Sequence, residues 1–190
     1  MLLGKGFDGS VVHRLMQLVT GGHTTVSVNG TIRNFFANGR GLRQGGPASP
    51  FLFNLVADSL SHILSRAATV GHITPVCSHL LPGGISHLQY ADDTIIMVEL
   101  NYGCLAHLKF ILLCFEALSG LKINFPKSEV IVTGVSEDEA RRVAQLLNCS
   151  LGSFPFKYLG LPISSSKLVA KYFAPLVSKL VGNRVMLWRG

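Results

Sequence analysis

Near the start of the chain the apolar positions Val11, Val12, Leu15, Met16, Leu18 and Val19 fall at the spacing of one helix face. Asp8 stands where it would cap that helix, and Gly21-Gly22 stand where it would end. The period then changes. Residues 24–28 and 31–36 are β-prone and flank Asn29-Gly30, a strong signal for a two-residue hairpin loop. Residues 39–46 are rich in glycine and read as a loop. Ser49-Pro50 opens a long helix, with proline in the first turn where its missing N–H goes unused. Phe53, Val56, Leu60, Ile63, Leu64 and Ala67 line one apolar face of that helix.

Loop chemistry returns at Pro82-Gly83-Gly84, and residues 85–90 and 94–98 then read as two strands joined around Asp92-Asp93. A third helix is expected through Leu105, Leu108, Ile111, Leu112, Phe115 and Leu118, with Gly120 as its stop. Residues 122–133 read as extended chain turning at Pro126. Ser136 with Glu139 forms a capping box for a fourth helix ending near Asn148. A short strand is expected at 157–161 and a last helix at 168–187. Helices mixed with antiparallel strands make the fold class α+β.

Composition narrows the picture. A chain of 190 residues has room for one domain with a sizeable core, or one domain with a helical tail. With 48% apolar and 14% charged residues it is no disordered segment. Seventeen Lys and Arg against ten Asp and Glu give a net charge of +7, which favours a polyanionic partner, nucleic acid first among them. The charge is spread along the chain and carries little weight alone. Cys77, Cys104, Cys114 and Cys149 never form a C-x-x-C pair, which argues against a zinc site. They are also too sparse for a secreted disulfide scaffold, so reduced thiols in an intracellular protein are expected. The longest unbroken apolar runs, such as residues 110–115, are too short to cross a bilayer, and the first residues lack a signal-peptide core. No membrane partner is expected, and nothing specifies an oligomeric state.

The strongest chemical feature is Tyr90-Ala91-Asp92-Asp93. An isolated Asp-Asp is ordinarily a solvated turn. Here β-prone residues flank it on both sides, so the two carboxylates would project from the tip of a tight hairpin. Like charges that close repel unless a cation lies beside them, and Mg²⁺, which prefers oxygen ligands, resolves the conflict. Two-metal phosphoryl transfer uses such carboxylates.

Tyr90-Ala91-Asp92-Asp93 resembles the catalytic tetrapeptide of reverse transcriptases. Gly41-Leu42-Arg43-Gln44-Gly45-Gly46-Pro47-Ala48-Ser49-Pro50-Phe51-Leu52-Phe53-Asn54 is similar to another block of that family, as is Ser119-Gly120-Leu121-Lys122-Ile123-Asn124-Phe125-Pro126-Lys127-Ser128-Glu129. Phe156-Lys157-Tyr158-Leu159-Gly160-Leu161-Pro162-Ile163 resembles a later element. These blocks stand in the family's order across residues 24–163, and the wording of the last two resembles plant LINE-type (non-long-terminal-repeat) retrotransposons. The resemblance implies a polymerase palm-type antiparallel sheet packed against helices, with residues 1–163 as a partial palm. Residues 164–190 would be a helical extension leading toward the thumb. It implies an RNA template, a DNA primer and deoxynucleoside triphosphates as partners, Mg²⁺ or Mn²⁺ as cofactor, and a nuclear location.

By the same resemblance Asp92 is the metal-binding carboxylate and Asp93 supports the site. Ala91 is small enough to let primer and metal approach, and Tyr90 packs beneath the strand. Arg43, Gln44 and Gly45 would position template and nucleotide: the guanidinium pairs with phosphate, the amide bonds a sugar or base, and glycine permits close approach. Lys127 would serve the departing pyrophosphate. Tyr158, Leu159 and Gly160 would hold the primer. Departures from the family pattern carry their own expectation. The family's upstream metal-bridging aspartate has no counterpart, since Asp8 sits in a helix-cap context and Asp58 inside a helix. Gly46 stands where relatives usually have Asp, and Ala48 replaces Leu. An N-terminally truncated, catalytically incomplete domain with weakened cation binding is expected. The alternatives are a non-catalytic nucleic-acid-binding remnant and a gene relic that does not function.

Overall fold

A computed structural model describes residues 2–20, 22–37, 41–42 and 45–175. The chain forms two compact units, residues 1–66 with 85–97, and residues 67–84 with 98–190. In the first unit helix α1 (Gly9–Thr20) begins as its cap predicts: the Asp8 carboxylate accepts from the Ser10 N–H at 2.8 Å. The hairpin expected around Asn29-Gly30 forms, but in two short pieces. Strand β1 (His23–Thr24) pairs with β4 (Phe36–Ala37), and β2 (Ser27–Val28) pairs with β3 (Thr31–Ile32). Residues 33–35 face only 25–26 across the gap, so one extra residue breaks the ladder as a bulge does. Thr25 Oγ1 donates to the Arg33 carbonyl there at 2.6 Å.

Helix α2 (Ser49–Thr69) starts at the expected Ser-Pro; of its expected apolar stripe Leu60, Leu64 and Ala67 are buried and Phe53, Val56 and Ile63 half-buried, while Ala57, not on that stripe, is buried as well. Strands β5 (His87–Tyr90) and β6 (Asp93–Ile96) form the hairpin that carries the acidic pair. The Gly21 end of α1 lies outside the described residues.

In the second unit Asn101 caps helix α3 (Tyr102–Ser119), its side chain accepting from the Gly103 N–H at 2.8 Å and the Cys104 N–H at 3.3 Å. Gly120, at φ 73°, ends it. By length and composition this 18-residue helix, mean hydropathy 1.4, could cross a bilayer, which a count of unbroken apolar residues does not reveal. One face of it is buried, while Phe110, Leu113 and Leu118 are exposed. Cys104, Leu105, Leu108, Leu112 and Phe115 are buried, and its charged residues are engaged: Lys109 donates to the Leu146 carbonyl at 2.6 Å, and Glu116 accepts from the Ile123 N–H at 2.6 Å.

Residues 122–133 turn at Pro126 as expected, the turn being one of 3-10 helix. Asn124 caps a 3-10 turn at Phe125–Lys127, after which β7 (Glu129–Val130) leads into helix α4 (Glu137–Leu147) and strand β8 (Ser150–Leu151). Strands β7 and β8 run parallel, because the α4 crossover returns the chain in the same direction. Of the five two-stranded pairs among the described residues, the other four are antiparallel. Ser136 caps α4 as expected, and Glu139 turns its carboxylate to the Tyr102 hydroxyl at 2.8 Å. Leu105, Val143 and Leu147 form the core here, with Val98, Val130, Val132 and Leu146 packed against them. Each fully buried aliphatic side chain contributes about 1.5–3 kcal/mol.

The single strand expected at 157–161 is a hairpin, β9 (Phe156–Tyr158) and β10 (Leu161–Ile163), turning at Leu159-Gly160. Of the last helix expected at 168–187, the described part holds a 3-10 turn, Ala170–Tyr172, and helical residues 174–175; residues 176–187 lie outside the described residues. Helices with small, mostly antiparallel sheets make an α+β fold consistent with a polymerase palm.

Candidate functional site

Strands β5 and β6 pair in register from His87↔Ile96 through Tyr90↔Asp93, so Ala91 and Asp92 are the two loop residues. The loop begins where the sequence suggests and is one residue shorter: Asp92 is at the tip and Asp93 opens the second strand. Ala91 takes a left-handed φ of 52°, a conformation that L-residues adopt at a cost of about 1–2 kcal/mol. A small side chain keeps that cost low, which is a second reason for alanine here. Both carboxylates are exposed to solvent.

Alternation along β5 sorts its side chains. Leu88 and Tyr90 face outward, with Tyr90 64% exposed rather than packed beneath the strand. Asp93, paired directly with Tyr90, shares that face. His87 and Gln89 face α2. His87 Nε2 lies 2.7 Å from Ser61 Oγ, His87 Nδ1 lies 2.8 Å from Ser86 Oγ, and Gln89 donates to the Ala57 carbonyl at 3.3 Å. Between helix and hairpin lies a cleft of about 370 Å³, lined among others by Asn54, Ala57, Ser61, His87, Gln89 and Ala91. Partial burial lowers the pKa of His87 from its ordinary value and favours the neutral ring. Asp58 on the same cleft is bound by Lys5, whose hydrogen bond holds its carboxyl below the usual range, with His62 3.4 Å away.

Tyr90, Ala91, Asp92 and Asp93 are thus brought together at one tip. Arg43 and Gln44 lie outside the described residues. Gly45 is exposed, at a φ of 76° that only glycine adopts readily, and the Gly46 carbonyl accepts from the Ser49 N–H at 3.1 Å at the entrance to α2. Lys127 and the turn Tyr158-Leu159-Gly160 belong to the second unit. Lys127 ends the 3-10 turn with an exposed side chain, and its N–H donates to the Asn124 carbonyl at 3.0 Å. Leu159 and Gly160 are both left-handed, at φ 51° and 83°, and Leu159 is exposed.

His87 and Ser61 belong to no sequence motif. The alternation in His87-Leu88-Gln89-Tyr90 puts His87 and Gln89 on one face, but their partners are distant in the chain. Asp92 and Asp93 are hard oxygen donors, which suit Mg²⁺ or Mn²⁺ in kind. Among the described residues no group of three or more His, Cys, Asp or Glu gathers at the tip or elsewhere.

A family model described as reverse transcriptase (RNA-dependent DNA polymerase) matches residues 5–163. The chain is 28% identical over 169 residues to a retrovirus-related Pol polyprotein from type-1 retrotransposable element R2 of Popillia japonica, covering 85% of this chain and 27% of that protein. It is 34% identical over 126 residues to the retrovirus-related Pol polyprotein from type-2 retrotransposable element R2DM of Drosophila melanogaster, covering 65% of this chain and 10% of that protein. An uncharacterized mitochondrial protein of Arabidopsis thaliana is 39% identical over 67 residues, 35% of this chain and 55% of that one. The chain therefore spans about a quarter of the Popillia protein and a tenth of the Drosophila one.

Proposed function

Because the chain belongs to the reverse transcriptase (RNA-dependent DNA polymerase) family, we propose that it is the palm portion of a plant LINE-type retrotransposon polymerase. The domain is similar to retrotransposon RNA-directed DNA polymerases, a family that acts on nucleic-acid templates and nucleotides. Its partners are an RNA template, a DNA primer and deoxynucleoside triphosphates. The plant assignment is supported by the wording of residues 119–129 and 158–162 and by the identity with the Arabidopsis protein.

The observation that carries this reading is the pair of exposed carboxylates at the tip of the β5–β6 hairpin, inside the matched segment. Asp92 binds Mg²⁺ or Mn²⁺ and Asp93 supports the same ion. Arg43 meets phosphate, Gln44 a sugar or base, and Gly45 lets the backbone come close. The N-terminus of α2 adds its positive dipole end. Leu159 and Gly160 meet the primer backbone beside Tyr158, and Lys127 offers a cation to the leaving pyrophosphate.

Two carboxylates without a third leave the charge of a two-ion centre unbalanced, so the 190-residue chain by itself binds primer–template without extending it. Fluorescence anisotropy with a labelled RNA–DNA primer–template tests the binding. Affinity should fall linearly with salt on a log–log scale, and Asp92→Ala should leave it unchanged. Absence of binding at low salt would overturn the reading.

A further inference from the structure

The tip that carries Asp92 does not rest on helix α2 through apolar packing alone. The cleft of about 370 Å³ separates them, and directional hydrogen bonds reach across: Ser61 to His87, and Gln89 to the Ala57 carbonyl. His87 and Gln89 stand two residues apart on the same face of β5, and Gln89 is followed by the last strand residue, Tyr90, before the loop. The His87 ring is bonded at both nitrogens, by Ser61 from the helix and by Ser86 from the residue before it. A ring held at both of its nitrogens by partners from two segments has little freedom to rotate, so it transmits the position of α2 to the strand. Gln89 is bonded one helical turn earlier in α2 and fixes a second point. Two fixed points on one strand face define both the height and the tilt of the hairpin.

We propose that His87, clamped between Ser61 and Ser86, is a positioning residue that sets the geometry of the Ala91-Asp92 tip on α2. Its effect on cation binding rests on the reading of Asp92 and Asp93 above; its effect on the tip itself does not. The clamp works with a neutral ring, in which one nitrogen donates and the other accepts, since either hydroxyl can take either role. Protonation makes both nitrogens donors, forces both hydroxyls to accept, and places a charge in a half-buried position. Besides His87 itself, the titratable group lining the cleft is Asp58 from α2, which Lys5 binds and His62 approaches; the carboxylates of Asp92 and Asp93 stand at the tip, next along the chain from the lining residue Ala91. Partial burial opposes the charged ring.

The test is a metal-free NMR titration of the 190-residue chain, following the His87 ring and the Ala91, Asp92 and Asp93 amides, and then addition of Mn²⁺. The tip amides should move with the same midpoint as the His87 ring. His87→Gln, whose amide can still reach Ser61, should keep the neutral-pH positions of the tip amides and abolish their pH response. Ser61→Ala, which keeps the histidine, should displace the tip amides at neutral pH and shift the His87 midpoint. Tip amides that ignore the His87 titration, or that respond equally in His87→Gln, would overturn the proposal. Should His87→Gln not fold, unaltered tip amides in Ser61→Ala would overturn it alone. The Mn²⁺ step separates the two readings. Broadening of the tip that is weakened in Ser61→Ala supports both. No broadening in the wild type, with the titration coupling intact, sinks the cation site and leaves the clamp standing.

Discussion

The β5–β6 and β9–β10 hairpins solve the same backbone problem with different residues. Each closes on two loop residues, and in each the first is a non-glycine at a left-handed φ, 52° for Ala91 and 51° for Leu159. In β9–β10 a glycine at φ 83° follows, so both loop residues are left-handed, as in the hairpin turn that suits twisted strands best. In β5–β6 Asp92 follows instead. One tip displays two carboxylates, the other an exposed leucine. A residue that stores strain at a hairpin tip needs surroundings that hold it there, and the two hairpins differ in how they are held. Bonds to α2 brace the first, at His87 and Gln89. The second relies on Gly160.

The largest expected difference lies in cation binding. Asp92→Ala should weaken Mn²⁺ binding by about tenfold or more, at least the effect of removing a supporting partner from a metal site. Leu159→Ala should leave it unchanged; isothermal titration of both variants decides. Next comes Gly160→Ala, which should destabilise the chain by about 1–2 kcal/mol in urea unfolding, because alanine takes a left-handed φ poorly. Ala91→Gly and Leu159→Gly should each stabilise by about 0.5 kcal/mol, relief of strain exceeding the entropy that glycine adds to the unfolded chain. The two differ in consequence: Ala91→Gly should loosen the tip and reduce Mn²⁺ affinity, whereas Leu159→Gly should not.

The smallest effect concerns pH. Burial depresses the folded pKa of His87 below its ordinary value of about 6.5. The unfolded state therefore binds more protons between those two values. The stability contribution of the neutral ring is present above about 6.5 and is lost as pH falls through the depressed value. Urea midpoints measured on either side of that window should show the loss in the wild type and not in His87→Gln.

The readable parts of this fold were those fixed by local signals. Helix α2 follows from Ser49-Pro50 and an apolar stripe, and α4 from a capping serine. The acidic tetrapeptide announced the hairpin tip. What was hidden depends on distant partners or on conformations that propensity disfavours. Strand β10 contains Pro162, which lowers any strand assignment. The second strand starts one residue earlier than expected, at Asp93, because aspartate is a poor strand signal. The β7–β8 pairing is parallel because a helix intervenes, and no local pattern reports it. His87 meets Ser61 across 26 residues of chain, so alternation showed the shared face but not what lies against it.

The most direct test is primer extension by the purified 190-residue chain on an RNA template with Mg²⁺ or Mn²⁺. Two exposed carboxylates without a third among the described residues predict primer–template binding and no extended product. Extension that Asp92→Ala abolishes would contradict this, and would show that these residues complete the catalytic site themselves.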